Sequence, residues 1–340
     1  MKKICVIGAG SWGTALAVHL ANLDYYVWLW GRPEDGIDQI KIEHENCRFL
    51  PGITIPENIY PETDPLLALQ NADVVIMSLP SQALRSVLEK LQPYIPADAF
   101  IVNTAKGLEI STGMRLSQVV EEVLGISCHN RFAVLSGPSH AEEVGLRLPT
   151  AVTVAAYNQD TAFYIQDIFM DNYFRVYTNP DIAGVELGGA LKNIIALATG
   201  ITYGLGYGDN TAAALMTRGL AEMIRMGAAM GGDPRTFSGL SGIGDLVVTC
   251  GSQHSRNRRA GQMIGQGNKL EETLEAIGMV VEGIHTTRIV HQLALEMNID
   301  MPITKACYRI LYEGEKPRAE VEQLMRRQRK HEVEEINYQS

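Results

Sequence analysis

The chain has 340 residues, 46% of them hydrophobic and 20% charged, and a net charge of −10. Such a balance describes an ordinary folded protein, long enough for two domains, and argues against disorder. The negative charge disfavours nucleic acid as a partner and requires that any anionic ligand be drawn in by a local cationic cluster.

Residues 4–7 form an apolar strand that runs into G-x-G-x-x-G at Gly8, Gly10 and Gly13. An alanine-rich helix over Thr14–Leu23 and a second apolar strand, Tyr26–Trp30, follow it. In this context Gly8 permits a tight turn, Gly10 lets phosphates approach the backbone, and Gly13 lets the helix pack on the strand. The free amides at the helix start then face a dinucleotide pyrophosphate. The motif begins so early that no signal peptide is expected, and no uninterrupted apolar stretch reaches membrane-spanning length. We therefore expect a cytoplasmic protein without membrane insertion. The five cysteines (Cys5, Cys47, Cys128, Cys250, Cys307) are dispersed, which favours reduced thiols over disulfides or structural zinc.

Further strands are expected at Asp73–Ser78, Ala99–Asn103, Arg131–Ser136, Ala151–Ala155 and Tyr173–Tyr177, with helical spacing at Gln82–Leu91 and Arg115–Leu124. This alternation predicts an α/β fold, a mostly parallel doubly wound sheet of the Rossmann type, over residues 1–180. Beyond Asp181, long segments rich in Ala, Leu and Met (181–203, 210–230, 283–297, 303–312) predict an all-helical domain over 181–340. Glycine-rich loops are expected at 204–208, 231–232 and 239–244. The charged run 326–335 reads as a solvated helix face or frayed end.

Five segments carry residues suited to chemistry. In Gly184–Asn193, Gly188 and Gly189 cost the helix roughly 1 kcal/mol each relative to alanine, a cost that close approach by a ligand would offset. Lys192 follows in an apolar run, either as a snorkelling surface lysine or as an acid/base ammonium in the interdomain crevice. In Gly239–Cys250, Asp245 either orients Lys192 or caps a turn. Ser255 reads as a helix N-cap, with Arg256 and Asn257 in the first turn as donors to a phosphate. Lys106 and Gly107 lie past a strand's carboxyl end, where open α/β sheets bind ligands. Ser136–Ala141 follows the next strand, with a helix expected from Pro138, and Ser139 is either a ligand contact or a turn serine. Cys250 is either a thiol nucleophile or, with no histidine base near it in sequence, a buried thiol, and His140 is either a proton donor or structural. No grouping has metal-ligand spacing, so no metal is expected.

Taken together, GAGSWGTALA (8–17), HENCRFLPG (44–52), NTAKGLE (103–109), LSGPSHAEEV (135–144), GVELGGALKN (184–193), NTAAALMTRGLAEM (210–223), GLSGIGDLVVTC (239–250), SRNRRAG (255–261) and VVEG (280–283) resemble the bacterial-type NAD(P)-dependent glycerol-3-phosphate dehydrogenase family. The resemblance implies reversible reduction of dihydroxyacetone phosphate to sn-glycerol 3-phosphate, a homodimer, and supply of the phospholipid glycerol backbone. It assigns cofactor contacts to Ser11, Trp12, Arg32, Lys106, Ala141, Arg256, Val280 and Glu282. Substrate contacts fall to Lys106, Gly137, Ser139, Asp245, Ser255, Arg256 and Asn257, and proton transfer to Lys192. On this reading Asp245 holds Lys192, while Lys106 and Asn193 place the carbonyl and hydroxyls. His140 replaces the family's usual aromatic, and Cys47-Arg48-Phe49 replaces a Thr/Lys-x-Tyr pattern. Gly31-Arg32 stands where NAD-preferring sites place an acid, which favours NADP(H), with NAD(H) also possible because Glu34 and Asp35 lie close by. Two rivals share the pattern: a β-hydroxyacid or 6-phosphogluconate-type dehydrogenase, which acts on a carboxylate substrate, and a non-catalytic NADPH sensor, which would need none of Lys192, Asp245 and Arg256.

Overall fold

The computed structural model describes residues 2–329 and Glu332. Ten strands form in chain order: β1 (Lys3–Ile7), β2 (Tyr26–Trp30), β3 (Glu45–Asn46), β4 (Leu50–Thr54), β5 (Ile59–Glu62), β6 (Val74–Met77), β7 (Phe100–Asn103), β8 (Phe132–Ser136), β9 (Thr150–Ala156) and β10 (Phe174–Asn179). Eight make one sheet in the order β10-β9-β8-β7-β6-β1-β2-β5, and β3 and β4 pair as a small antiparallel ribbon. Helices on both faces explain why β1, β6 and β8 are apolar runs rather than alternating ones, since both sides of the pleat are buried. Strand order reverses at β1, whose neighbours are β2 and β6. The Gly8 turn leaves the carboxyl end of that strand.

The sheet is mostly parallel, as the sequence leads one to expect, with one antiparallel pairing. β9 runs antiparallel to β8, and β10 pairs parallel with β9. The connection between β8 and β9 holds only a five-residue helix, Ala141–Gly145. The chain returns beside β8 without the longer helical crossover that usually joins parallel neighbours. That helix also starts at Ala141 rather than Pro138. The edge strand β5 was not foreseen, because Pro61 sits in it; an edge position tolerates the missing donor.

The helical half consists of Ile182–Gly204, Asp209–Ala229, Asp245–Gly251, Arg256–Gly265, Leu270–Ile277, Glu282–Glu296, Pro302–Tyr312 and Pro317–Met325. Asp181 caps the first of these: its carboxylate accepts from Gly184 N at 2.8 Å and, on the far side, from Asp233 N and Thr236 Oγ1. This central helix is long and apolar enough to cross a membrane by composition alone, yet nearly all of it is buried inside the protein. Glu186 and Lys192 interrupt its apolar run. The expected loop at 239–244 is instead a π-helical turn, Leu240–Gly244, continuous with the Asp245 helix. Of the charged run 326–335, Arg326 and Arg327 are exposed after the last helix, and the segment lies partly outside the described residues.

Candidate active site

The glycine turn divides its labour unequally. Gly8 has φ +111°, and a Cβ there would lie 2.3 Å from Ser78 O. A Cβ on Gly13 would lie 1.9 Å from Gly8 O, whereas one on Gly10 would meet nothing within 4 Å. The open side of the turn is therefore at Gly10. Gly10 also provides no side-chain cap to the helix Ser11–Ala21, so that helix presents its first amides unpaired by side chains. Ser11 Oγ donates to Phe49 O at 2.6 Å, and Asn46 Nδ2 donates to Ala9 O and Thr14 Oγ1, so the β3–β4 ribbon is fastened to the turn. Trp12 is half-buried against the sheet core. An anionic dinucleotide fits this cradle: there is space at Gly10, amide donors beside it, and no carboxylate among the turn residues.

Arg32, just past β2, is exposed and forks onto Asp35, with Nε to Oδ2 at 3.1 Å and Nη2 to Oδ1 at 2.9 Å. Its guanidinium thus has an internal anion as partner.

At the carboxyl ends of β7 and β8 the two domains meet through three charges. Lys106 Nζ donates to Asp245 Oδ2 at 2.8 Å and to Gly137 O at 2.9 Å. Lys192 Nζ, from the central helix, donates to Asp245 Oδ1 and to Thr249 Oγ1, the latter at 2.8 Å. Lys192 and Asp245 are 5% and 1% exposed, so water screens neither. Burial alone would raise the Asp245 carboxyl, but the two ammonium groups outweigh it and hold it below the usual carboxylate range. Desolvation, aided by the charge on Lys106, lowers Lys192 from its ordinary 10.5 to about 8 against the opposing pull of Asp245. An ammonium has three N–H donors, so Lys192 retains one for a further acceptor.

Glycines in the central helix make this junction possible by admitting neighbouring protein. A Cβ on Gly188 would lie 2.4 Å from Ser241 O, and one on Gly189 2.9 Å from Ser136 Oγ and 3.3 Å from Lys106 Cγ. The close approach expected of a ligand is made by the protein's own chain.

Ser255 caps its helix, its Oγ accepting from Arg258 N at 3.2 Å. Arg256 makes no hydrogen bond or ion pair among the described residues. Desolvation lowers its pKa, while Glu282 and Glu142 pull the other way. Asn257 is less free than its position suggested. Its Nδ2 donates to Asn193 Oδ1 at 2.9 Å, and its Oδ1 accepts from Gly283 N at 2.8 Å. Asn193 Nδ2 in turn donates to Gly189 O at 3.3 Å. These amides brace three helices together and leave one Asn257 Nδ2 hydrogen and the backbone amide uncommitted.

Glu282 accepts from Ser81 N at 2.9 Å and Ser81 Oγ at 2.6 Å, joining the helical domain to the loop after β6. Val280 is exposed, whereas Ala141 is buried in the sheet-domain core. Ser139 Oγ donates to Gly137 O at 3.0 Å. His140 Nε2 and Ser136 Oγ are buried without partners. Desolvation, and then Lys192, lower the His140 pKa, so its ring is neutral. Sequence reasoning missed Thr249, although it lies one helical turn after Asp245, and missed Ser81, which carries no motif signal. Among the described residues no group of His, Cys, Asp and Glu is placed to hold a metal ion.

A glycine-turned, mostly parallel sheet joined to a helical domain through a lysine–aspartate–lysine cluster defines a two-domain, nucleotide-dependent oxidoreductase. Residues 3–162 match the family model described as the N-terminus of NAD-dependent glycerol-3-phosphate dehydrogenase, and residues 181–322 match the model for its C-terminus. The chain is 65% identical over 336 residues to a glycerol-3-phosphate dehydrogenase [NAD(P)+] of Syntrophomonas wolfei, covering 99% of this chain and 98% of the relative. It is 54% identical to that of Bacillus pumilus, at 99% and 97% coverage. The crystal structure of glycerol-3-phosphate dehydrogenase from Coxiella burnetii superposes with a TM-score of 0.91 at 41% identity, covering 96% of this chain and 99% of that one. The chain belongs to the NAD-dependent glycerol-3-phosphate dehydrogenase family.

Proposed function

We propose that this protein reversibly reduces dihydroxyacetone phosphate to sn-glycerol 3-phosphate with NAD(P)H, using Lys192 as the proton donor. The observation that carries this reading is the buried Lys192 ammonium. It sits between Asp245 and Thr249, keeps one N–H unspent, and has a pKa near the working range of the reaction.

The Gly8–Gly13 turn and the Ser11 helix start would hold the cofactor's pyrophosphate, with Arg32 at the adenosine ribose. Bound there, a reduced nicotinamide supplies hydride to the carbonyl carbon. Lys192 protonates the alkoxide oxygen, so one hydride and one proton convert the ketone to the secondary alcohol. Asp245 holds the Lys192 and Lys106 ammonium groups apart at fixed positions, stabilising the charged form of the acid. Lys106, tied to Gly137 O, positions the polar end of the triose. Arg256, at a capped helix start and without an ion pair among the described residues, offers its planar fork to the phosphate. In the reverse direction, neutral Lys192 accepts the hydroxyl proton.

We also infer division into domains at residue 180/181, a homodimer and a cytoplasmic setting. The first follows from the end of β10 at Asn179 and the start of the central helix at Ile182. The second rests on the family resemblance. The third agrees with five free cysteines, four of them buried.

Steady-state kinetics tests the roles. Lys192→Ala should lower kcat by ~10²–10⁴ with little change in KM. Arg256→Ala removes charged hydrogen bonds worth roughly 1.5–3 kcal/mol each and should chiefly raise KM for the triose phosphate. The reverse pattern would overturn the assignment.

A further inference from the structure

Two guanidinium groups converge on the turn Pro33–Asp35, only one of which the resemblance assigns. Arg32 reaches it from β2 and is occupied by Asp35, with Glu34 Oε1 a further 3.5 Å from Nη1. Arg48 reaches it from the loop between β3 and β4. Its Nη1 donates to Glu34 O at 3.0 Å, and its guanidinium lies 4.7 Å from the Phe49 ring centroid. It has no carboxylate within salt-bridge distance among the described residues. Arg48 is not a loosely tethered side chain. Phe49 is pinned to Ser11, and buried Asn46 is pinned to Ala9 and Thr14, so the loop is fixed relative to the glycine turn.

The charges have a simple arithmetic. Arg32 and Arg48 contribute two positive charges, and Glu34 and Asp35 two negative ones. A ribose 2′-phosphate would bring close to two more negative charges. It therefore competes with Asp35 for the Arg32 fork and gains most from a guanidinium that no carboxylate already occupies. Resting on the nucleotide site proposed above, we propose that Arg48 and Asp35 are the residues that set cofactor choice. Arg48 holds the 2′-phosphate of NADP(H) beside Arg32. Asp35 opposes that phosphate, both by occupying Arg32 and by direct repulsion, and accepts the free ribose 2′-hydroxyl of NAD(H). The balance between them makes the chain able to use either cofactor.

The test is calorimetric titration of wild type, Arg48→Ala, Arg48→Lys and Asp35→Asn with two fragments, 2′,5′-ADP and 5′-ADP. The ratio of their affinities isolates the 2′-phosphate. Arg48→Ala should cut that ratio by about tenfold, and Arg48→Lys by less, because lysine keeps the charge and loses the fork. Asp35→Asn should raise the ratio, and the NADPH:NADH ratio of kcat/KM should move in the same direction for each variant. These groups lie at the surface, and a thermal melt will confirm that each variant is folded. An Arg48→Ala ratio within twofold of wild type would overturn the inference, as would equal weakening of both fragments, which marks a merely structural role. If the wild type binds neither fragment, the nucleotide site itself is wrong and this inference falls with it.

Discussion

A methyl group on Gly13 would have to displace the Gly8 carbonyl, whereas one on Gly10 would project into open space. The two glycines of one motif thus stand in different surroundings, and on the proposed reading the first serves folding and the second the ligand. Gly13→Ala should lower stability by about 1–3 kcal/mol, read as a fall in Tm. Gly10→Ala, at an ordinary φ of −74°, should leave Tm unchanged and weaken nucleotide binding by titration. A matching loss of Tm in both would refute that division. The motif was legible because its chemistry is local: strand, turn and helix are consecutive in the chain. Asn257 shows the opposite case. Its place in a first helical turn is visible in the sequence, but its engagement with Asn193 and Gly283 depends on two other helices meeting there.

Buried and half-buried glutamates perform a common task among the elements. Glu186 accepts from Ser117 N and Oγ at the start of the helix Leu116–Leu124, and from Arg115. Glu282 does the same for the loop at Ser81. Glu222, 1% exposed in the helix Asp209–Ala229, receives Ile303 N, Thr304 N and Thr304 Oγ1 at the start of the helix Pro302–Tyr312. Each supplies an acceptor that the capped helix lacks locally. Burial raises Glu222 from 4.5 to about 7, despite the lowering effect of those donors. Its folded pKa lies above its unfolded one, so its contribution is fully present below about 4.5 and lost as pH rises through about 7. The difference in unfolding free energy between wild type and Glu222→Gln, read from denaturant melts, should therefore shrink from pH 5 to pH 8 by an amount on the order of 2–3 kcal/mol. A constant difference would show that Glu222 does not titrate in this range. Periodicity revealed these helices, but not the role of Glu186 and Glu222 in joining them, because a buried acid in an amphipathic pattern looks like a solvated one. The orientation of β9 was hidden for a related reason: strand composition carries no direction.

At the scale of the molecule, the Lys106–Asp245–Lys192 cluster exists only because two independently readable halves touch. Lys106 comes from the sheet domain, Lys192 and Asp245 from the helical one, and a single carboxylate links them. Sequence exposed the candidates and the two folds; their convergence is a property of packing, set by the small residues at 188 and 189. The central claim is that Lys192, with a pKa of about 8, delivers the proton. Protonated lysine is the competent form for reduction. The decisive measurement is the pH dependence of kcat/KM for dihydroxyacetone phosphate reduction, between about pH 6.5 and 9.5. The rate constant should fall as pH rises through about 8 in the wild type. The break should move to lower pH in Asp245→Asn, which removes the anion that raises the lysine. A profile that stays flat across that range in the wild type, or a break that Asp245→Asn leaves in place, would contradict it.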